Sequence, residues 1–174
     1  MLLFAGFGWG KPVQINPVKF KRNISMSKGE AIVSFAGPLM NLILALISTF
    51  ILGLFFKFGF VYKVSEVASQ IIIMFLYELI FMNIGLGVFN LIPIPPLDGS
   101  KILRHFLPAK AQIWFDNYSQ IFYYLLFVLL LFRKTYYITG PIIKFVASLI
   151  FLMVSKILGI NMGVIMGLLG LYNI

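Results

Sequence analysis

The residues best suited to chemistry lie in one stretch, Asn-Leu-Ile-Pro-Ile-Pro-Pro-Leu-Asp-Gly, residues 90–99. Its prolines cannot continue a helix, because each lacks an N–H and clashes with the preceding turn. The stretch nevertheless follows a long apolar run. Broken helix at membrane depth is tolerated only where protein or a water-filled cavity satisfies the freed backbone groups. The stretch therefore predicts a polar site, with the amide of Asn90 on one side and the carboxylate of Asp98 on the other.

Asp98 also has a purely structural interpretation. Asp-Gly opens a turn, and residues 100–107 look helical, so Asp98 could cap that helix. Such a cap stabilises a helix by about 1 kcal/mol, and Asp is common in that position. The local pattern alone favours the cap over a functional role.

Composition predicts the class of protein that carries this stretch. The chain has 174 residues, of which 61% are hydrophobic and 11% charged. An average soluble domain is about 45–50% apolar and about 25% charged, which excludes an ordinary soluble domain and a disordered chain. We expect an all-α integral membrane protein with a single membrane domain over residues 1–174, embedded in a lipid bilayer.

The apolar runs predict about four transmembrane helices. Residues 31–56 form one span, and residues 67–97 form another that ends in the proline-rich motif. Residues 98–116 read as an amphipathic segment on the cytoplasmic side, and residues 117–174 as C-terminal spans. Residues 1–28 read as the tail of a helix whose beginning is missing, followed by an extended basic segment that forms a short β-like insertion before the first full span.

The net charge of +9 comes from 14 basic and five acidic residues. The bases sit in short segments between apolar runs, a pattern typical of the positive-inside bias rather than of nucleic-acid binding. Two membrane-spanning segments separate the basic clusters at residues 11–28 and 101–110, so both clusters lie on the same side of the membrane. The positive-inside bias makes that side cytoplasmic. Asp98 is expected near that side, in the plasma membrane of a prokaryote, whereas Arg133 and Lys134 are expected on the opposite side.

Three motifs in this order resemble the site-2 protease family of zinc intramembrane metalloproteases, the peptidase M50 type. The proline-rich Asp-Gly motif at residues 90–99 is the most specific. Gly-Pro-Leu-Met-Asn at residues 37–41 is similar to the family's Gly-Pro-x-x-Asn element, and Gly-Trp-Gly-Lys-Pro-Val at residues 8–13 resembles the strand segment that leads into it. The resemblance covers about residues 4–108.

The resemblance implies roles for individual residues. It makes Asp98 the third zinc ligand, and it assigns substrate binding to Asn90, Pro93 and Pro95. The remaining matched positions are structural: Gly37, Pro38, Asn41 and Gly99. Asn41 and Gly37 also suit close packing of membrane helices without any contact to substrate.

The chain departs from the family in one respect. The family takes two zinc ligands and its general base from His-Glu-x-x-His on an upstream helix. This sequence has a single histidine, His105, and no such motif. Since a catalytic zinc site needs three protein ligands, we expect that zinc belongs to the complete enzyme, that this chain alone does not bind it, and that the chain is truncated and inactive by itself.

The expected function is therefore a zinc endopeptidase that cleaves transmembrane proteins within the membrane, as in regulated intramembrane proteolysis. Two alternatives stay open: a catalytically dead relative that binds membrane helices, and a small channel or transporter subunit with a broken helix at its pore. The oligomeric state is not predicted.

Two further polar residues lie outside the motifs. Glu78 interrupts an apolar run, and we place it in the first turns of its helix, where the helix dipole favours an acid. His105 is expected to be an interfacial side chain, because a single histidine makes no zinc site.

Overall fold

A computed structural model describes residues 25–131, 135–161, 163 and 167. The secondary structure within these residues is helical, with no strand among them. The helices, in chain order, are α1 (Met26–Lys57), α2 (Phe60–Lys63), α3 (Glu66–Asn90), α4 (Asp98–Phe106), α5 (Ala109–Asn117), α6 (Ser119–Leu131) and α7 (Thr135–Leu158).

Three helices, α1, α3 and α7, are long and apolar enough to cross a membrane. They have 32, 25 and 24 residues, and about 20 residues are needed to span the hydrocarbon core. The expectation of about four spans is not confirmed. Within the described residues helix α6 has 13 residues, about 20 Å at 1.5 Å per residue, and is not among the helices long enough to span. The expected extended insertion within residues 1–28 lies outside the described residues up to residue 24, and its last residues, 26–28, are helical because Ser25 caps α1.

Local sequence explains where the first two long helices start and stop. Ser25 caps α1 and Ser65 caps α3, each accepting a hydrogen bond of 3.3 Å from the backbone N–H three residues on. Gly59, with φ +66°, makes the reversal between α1 and α2. Helix α3 ends at Asn90, three residues before Pro93, because the prolines that follow cannot donate helical hydrogen bonds.

The core forms where α1, α3 and α7 pack together. Side chains of Ala45 and Leu52 on α1, Ile80 and Ile84 on α3, and Phe151 on α7 are almost fully buried in one cluster. Helices α1 and α3 are antiparallel. Helix α7 runs parallel to α1, since the Lys57 ammonium at the end of α1 donates to the Leu158 carbonyl at 2.7 Å.

Glycines allow the closest approaches between these helices. A Cβ added at Gly87 of α3 would lie 3.3 Å from the Pro38 carbonyl oxygen of α1 and 3.2 Å from Leu42 Cδ2. One added at Gly53 of α1 would overlap Leu158 of α7. Small residues that let backbones approach are typical of packed membrane helices, in which lipid supplies no hydrophobic drive for association.

The structure corrects the placement of Glu78. Helix α3 begins at Glu66, so Glu78 stands 12 residues from each end rather than in the first turns. At 1.5 Å per residue this is about 18 Å from either end. The helix dipole acts only within the first and last turns, so it does not stabilise a charge there. Glu78 is also exposed on the surface of the helix bundle.

The close contact between Gly87 and α1 generates a testable prediction. Gly87→Ala should lower the free energy of unfolding by about 1–3 kcal/mol relative to Gly85→Ala, because the added methyl group forces α1 and α3 apart. Unfolding of the purified protein in detergent would measure the difference. Gly85→Ala is the matched control, since a Cβ there would meet only the Ile143 Cδ1 atom, at 3.9 Å. Equal losses for the two variants would contradict the packing.

Candidate functional site

The backbone N–H groups of the proline-rich segment after α3 all donate hydrogen bonds, to carbonyls of the segment itself or of the last turn of α3. Every residue between α3 and α4 that has an N–H donates it within a tight turn: Leu91 to Gly87 at 3.2 Å, Ile92 to Phe89 at 3.1 Å, Ile94 to Ile92 at 2.8 Å and Leu97 to Ile94 at 3.0 Å. The turns lead directly into α4. The helix is thus broken without leaving donors of this segment unpaired, as a site at membrane depth requires.

Asp98 is the first residue of α4, and the cap position belongs to Leu97, which makes no side-chain capping bond. The structural interpretation of Asp98 as the cap is therefore wrong by one residue. Its carboxylate still benefits from the helix N-terminus, where negative charge is stabilised. Asp98 Oδ1 lies 3.5 Å from Lys101 Nζ, in a half-exposed ion pair of the kind that contributes about 0–1 kcal/mol.

The other carboxylate oxygen of Asp98 faces α1. Asp98 Oδ2 lies 3.6 Å from the position that a Cβ of Gly37 would occupy. The Gly-Pro-Leu-Met-Asn motif of α1 and the Asp-Gly motif at the start of α4, 61 residues apart in the sequence, therefore meet at one place. The carboxylate is about one-third exposed, so it remains accessible beside α1.

Gly99 makes this placement possible. A Cβ added at Gly99 would overlap the Leu91 carbonyl group and the Ile92 carbonyl oxygen, all of them backbone atoms. Only glycine lets the first turn of α4 lie so close to the end of α3. Ser100, which is also buried, donates from Oγ to the Leu97 carbonyl at 2.7 Å and fixes the same turn.

The far end of α4 is held by two polar contacts. His105 Nδ1 lies 3.1 Å from Ser27 Oγ at the start of α1. The Arg104 guanidinium donates to both carboxylate oxygens of Asp116 on α5, at 2.9 and 2.7 Å. This hydrogen bond raises the pKa of Arg104. Since α4 is tied down at its far end, the position of Asp98 at its near end is fixed too.

The remaining predicted site residues differ in how far their side chains are buried. Pro38 is buried, while Asn41, one turn further along α1, is half-buried. Asn90 ends α3 and is half-buried, as is Pro95, whereas Pro93 is exposed. No side-chain hydrogen bond joins Asn41 or Asn90 to another described residue.

Sequence reasoning missed two residues near the site. Lys101 pairs with Asp98, and the i, i+3 spacing of opposite charges could have indicated it. Ser34 is 2% exposed, and its Oγ has no partner among the described residues. It stands four residues before Pro38, whose missing N–H also leaves the Ser34 carbonyl without its helical donor. A serine four residues before a proline inside an apolar run is the signal that could have found it.

The described residues do not by themselves fit a zinc ion. They contain no group of three or more His, Cys, Asp or Glu side chains that could hold a metal. Asp98 offers one carboxylate, and His105 is engaged with Ser27 at the far end of α4. Since a zinc site needs at least three protein ligands, Asp98 supplies one ligand at most.

For the two glycines next to Asp98 we expect different losses of stability on substitution by alanine. Gly99→Ala should destabilise the protein by about 1–3 kcal/mol, because the new methyl group overlaps backbone that cannot move aside. Gly37→Ala should change stability by less than about 0.5 kcal/mol, since its Cβ would be in ordinary contact with Asp98. Unfolding in detergent measures both, and a loss at Gly37 as large as that at Gly99 would refute this geometry.

Comparison with known proteins agrees with the motifs. The family model for peptidase family M50 matches residues 12–133. The chain is 35% identical over 131 residues to "Putative zinc metalloprotease YwhC" of Bacillus subtilis, which covers 74% of this chain and 58% of YwhC. It is also 49% identical over 45 residues to "Putative zinc metalloprotease spr0242" of Streptococcus pneumoniae, covering 26% of this chain and 11% of that protein.

The chain thus spans less than two thirds of the YwhC relative. No solved structure matches it. The family match covers more than half of the chain and includes α1, the proline-rich segment and Asp98. The chain belongs to peptidase family M50, the site-2 protease family of zinc metalloproteases.

Proposed function

We propose that this chain forms part of a zinc endopeptidase that cleaves transmembrane proteins within the membrane. In this proposal Asp98 is one zinc ligand, and α1 with α3 forms the scaffold that holds it. The observation that carries the proposal is the contact of Asp98 with Gly37, which joins two of the three family motifs of this chain at one point. Family membership and the names of the relatives support zinc as the metal.

The other zinc ligands must come from outside this sequence. The 174 residues include one histidine and no cysteine, so a His-Glu-x-x-His helix would have to be supplied by a further segment. The surface of α1 beside Asp98 offers it a place, because Gly37 is exposed and so are Val33 and Leu44 on the same side of the helix. A glycine there lets a neighbouring helix approach closely.

The proline-rich segment provides the proposed substrate contacts. Pro93 is exposed, and Asn90 and Pro95 are half-buried at the same end of α3. An extended peptide can bind by adding to exposed backbone, with main-chain hydrogen bonds giving affinity. We assign this role to the segment because it is non-helical and lies beside Asp98. Its own N–H groups are engaged in its turns, so a peptide would bind through the carbonyl oxygens of the segment. The substrate must unwind locally to present such backbone.

The distribution of charge supports a cytoplasmic position for Asp98. Lys101, Arg104 and Lys110 follow it directly, and Lys28 lies at the start of α1 at the same end of the bundle. The positive-inside bias makes that end cytoplasmic. Helix α7 also begins at this end, since Ile143 lies beside Gly85 in the last two turns of α3. Arg133 and Lys134, expected on the opposite side, lie outside the described residues.

Zinc content tests the proposal that this chain supplies one zinc ligand, Asp98, and that a further segment supplies the others. The purified 174-residue chain should contain far less than one zinc per chain, because Asp98 alone cannot hold the ion. A longer protein in which a His-Glu-x-x-His helix precedes residue 1 should contain close to one. Metal analysis after gel filtration measures both values. Near-stoichiometric zinc on the 174-residue chain would contradict the assignment.

Substitution of Asp98 tests its role in that longer protein. Asp98→Asn should reduce zinc affinity and abolish cleavage of a membrane-embedded reporter substrate, because the amide cannot replace the charged ligand. Lys101→Gln is the matched control: it removes the ion-pair partner of Asp98 but no proposed ligand, and should keep most of the activity. Full cleavage by Asp98→Asn would refute the ligand assignment, whereas loss of zinc without loss of folding would support it.

A further inference from the structure

Two charged residues lie on the membrane-spanning helices far from the candidate site. Glu78 is at the midpoint of α3, and Lys144 is the tenth residue of the 24-residue α7. Both are exposed on the bundle surface, and neither forms an ion pair with another described residue. Ionisable side chains inside membrane spans are rare and almost always face protein or a water-filled cavity. An exposed pair of opposite charges at this depth therefore favours a further protein surface that covers it, beyond the residues that the structure describes.

Glu78 lies on the side of α3 that turns away from α1. Gly87, which packs against Pro38 and Leu42 of α1, is nine residues further along. At 3.6 residues per turn, nine residues make two and a half turns, which places Glu78 on the opposite side of the helix. Its neighbours on this side, Ile71, Met74 and Met82, are likewise exposed.

Lys144 also points away from α1. The residues of α7 that line the groove against α1 include Val146 and Ile150, and at 100° per residue Lys144 falls on the other side of the helix. Ser148, one turn further along the same face, is exposed as well, and its hydroxyl bonds only to its own helix, at the Phe145 carbonyl. The outward face of α7 thus carries two polar residues, Lys144 and Ser148, among exposed apolar side chains such as Phe145 and Leu152.

Both charges adjoin the same seam between α3 and α7. Phe81, three residues after Glu78, contacts Phe151 across the seam with ring centroids 6.5 Å apart. Gly85 lies beside Ile143, the neighbour of Lys144. Because α3 and α7 are antiparallel, Glu78 and Lys144 differ in depth by about 9 Å, or six residues of rise, when the contact of Gly85 with Ile143 sets the level, and by about 15 Å, or ten residues, when the contact of Phe81 with Phe151 does. The long stem of a lysine can reach over much of such a distance.

We propose that this surface, the Glu78–Lys144 face, is a self-association surface on which a second copy of the chain packs. A two-fold axis along the membrane normal keeps each residue at its depth and brings identical faces together. Glu78 of one copy then pairs with Lys144 of the second copy, and the pairing occurs twice. A single face that carries both the acid and the base is complementary to itself, which favours a second copy over an unrelated helix.

Charge reversal in mixed copies tests the proposal. Glu78→Lys puts two positive charges on the face, and Lys144→Glu puts two negative charges there, so each variant alone should self-associate at least about tenfold more weakly than the parent chain. A mixture of the two variants restores both pairs and should associate nearly as well as the parent chain. Because the chain has no cysteine, Tyr62→Cys, at a position 89% exposed outside the spans, gives a single labelling site.

Energy transfer between donor- and acceptor-labelled full-length chains in lipid vesicles is the readout, with dilution by lipid giving the dissociation constant. The matched controls are Glu66→Lys and Lys156→Glu, the same charge reversals near the ends of the same two helices. These should leave association unchanged. A monomeric parent chain, unaffected single variants, or a mixture that fails to associate would each overturn the proposal. Lowered thermal stability of the single variants without rescue in the mixture would indicate a pair within one chain and would overturn it too.

Discussion

The structure depends on one constraint, that backbone polar groups at membrane depth must find partners within the protein. Helix α3 stops at Asn90, and three prolines prevent it from resuming before Asp98. The segment between them is tolerable because the N–H groups of Leu91, Ile92, Ile94 and Leu97 all close short turns. The prolines contribute no donors that need partners, so the break leaves few polar groups to satisfy. A short non-helical segment with a defined shape results.

Two glycines, Gly99 and Gly87, place the broken end of α3 and the start of α4 against α1, which forms the candidate site. Gly99 lets α4 start directly against the Leu91 and Ile92 carbonyls, and Gly87 lets α3 lie against Pro38 of α1. Together they bring the carboxylate of Asp98 next to Gly37. Helix α1 therefore carries both Pro38, which packs against Gly87 of α3, and Gly37, which lies beside the carboxylate of Asp98. Contacts of α4 with Ser27 and Asp116 stabilise the arrangement from its far end.

Sequence reasoning predicted the parts that depend on local rules. The apolar runs at 31–56 and 67–97 correspond to α1 and α3, whose bounds are set by the caps Ser25 and Ser65 and by the prolines after Asn90. The C-terminal half was harder to predict. Helix α7 starts at Thr135 and continues through Pro141 and Lys144, whereas the sequence predicted only that residues 117–174 hold the C-terminal spans, without their bounds.

The contact between Asp98 and Gly37 could not be read from spacing, since it joins residues on different helices. The resemblance to the family singled out both motifs, and the packing of α4 on α1 places them in contact. Glu78 was placed in the first turns of its helix because the helix dipole favours an acid there, whereas Ser65 and Glu66 mark the start of the helix 12 residues earlier. The capping serine was the better signal.

The most direct measurement is a short-range crosslink between positions 37 and 98. The chain contains no native cysteine, so Gly37→Cys combined with Asp98→Cys gives a single possible pair. The account predicts rapid intramolecular crosslinking of this pair in membranes by a short bifunctional thiol reagent. Gly37→Cys combined with Pro108→Cys, at the far end of α4, should not react. Absence of the crosslink at positions 37 and 98, in a protein that remains folded, would contradict the proposed site.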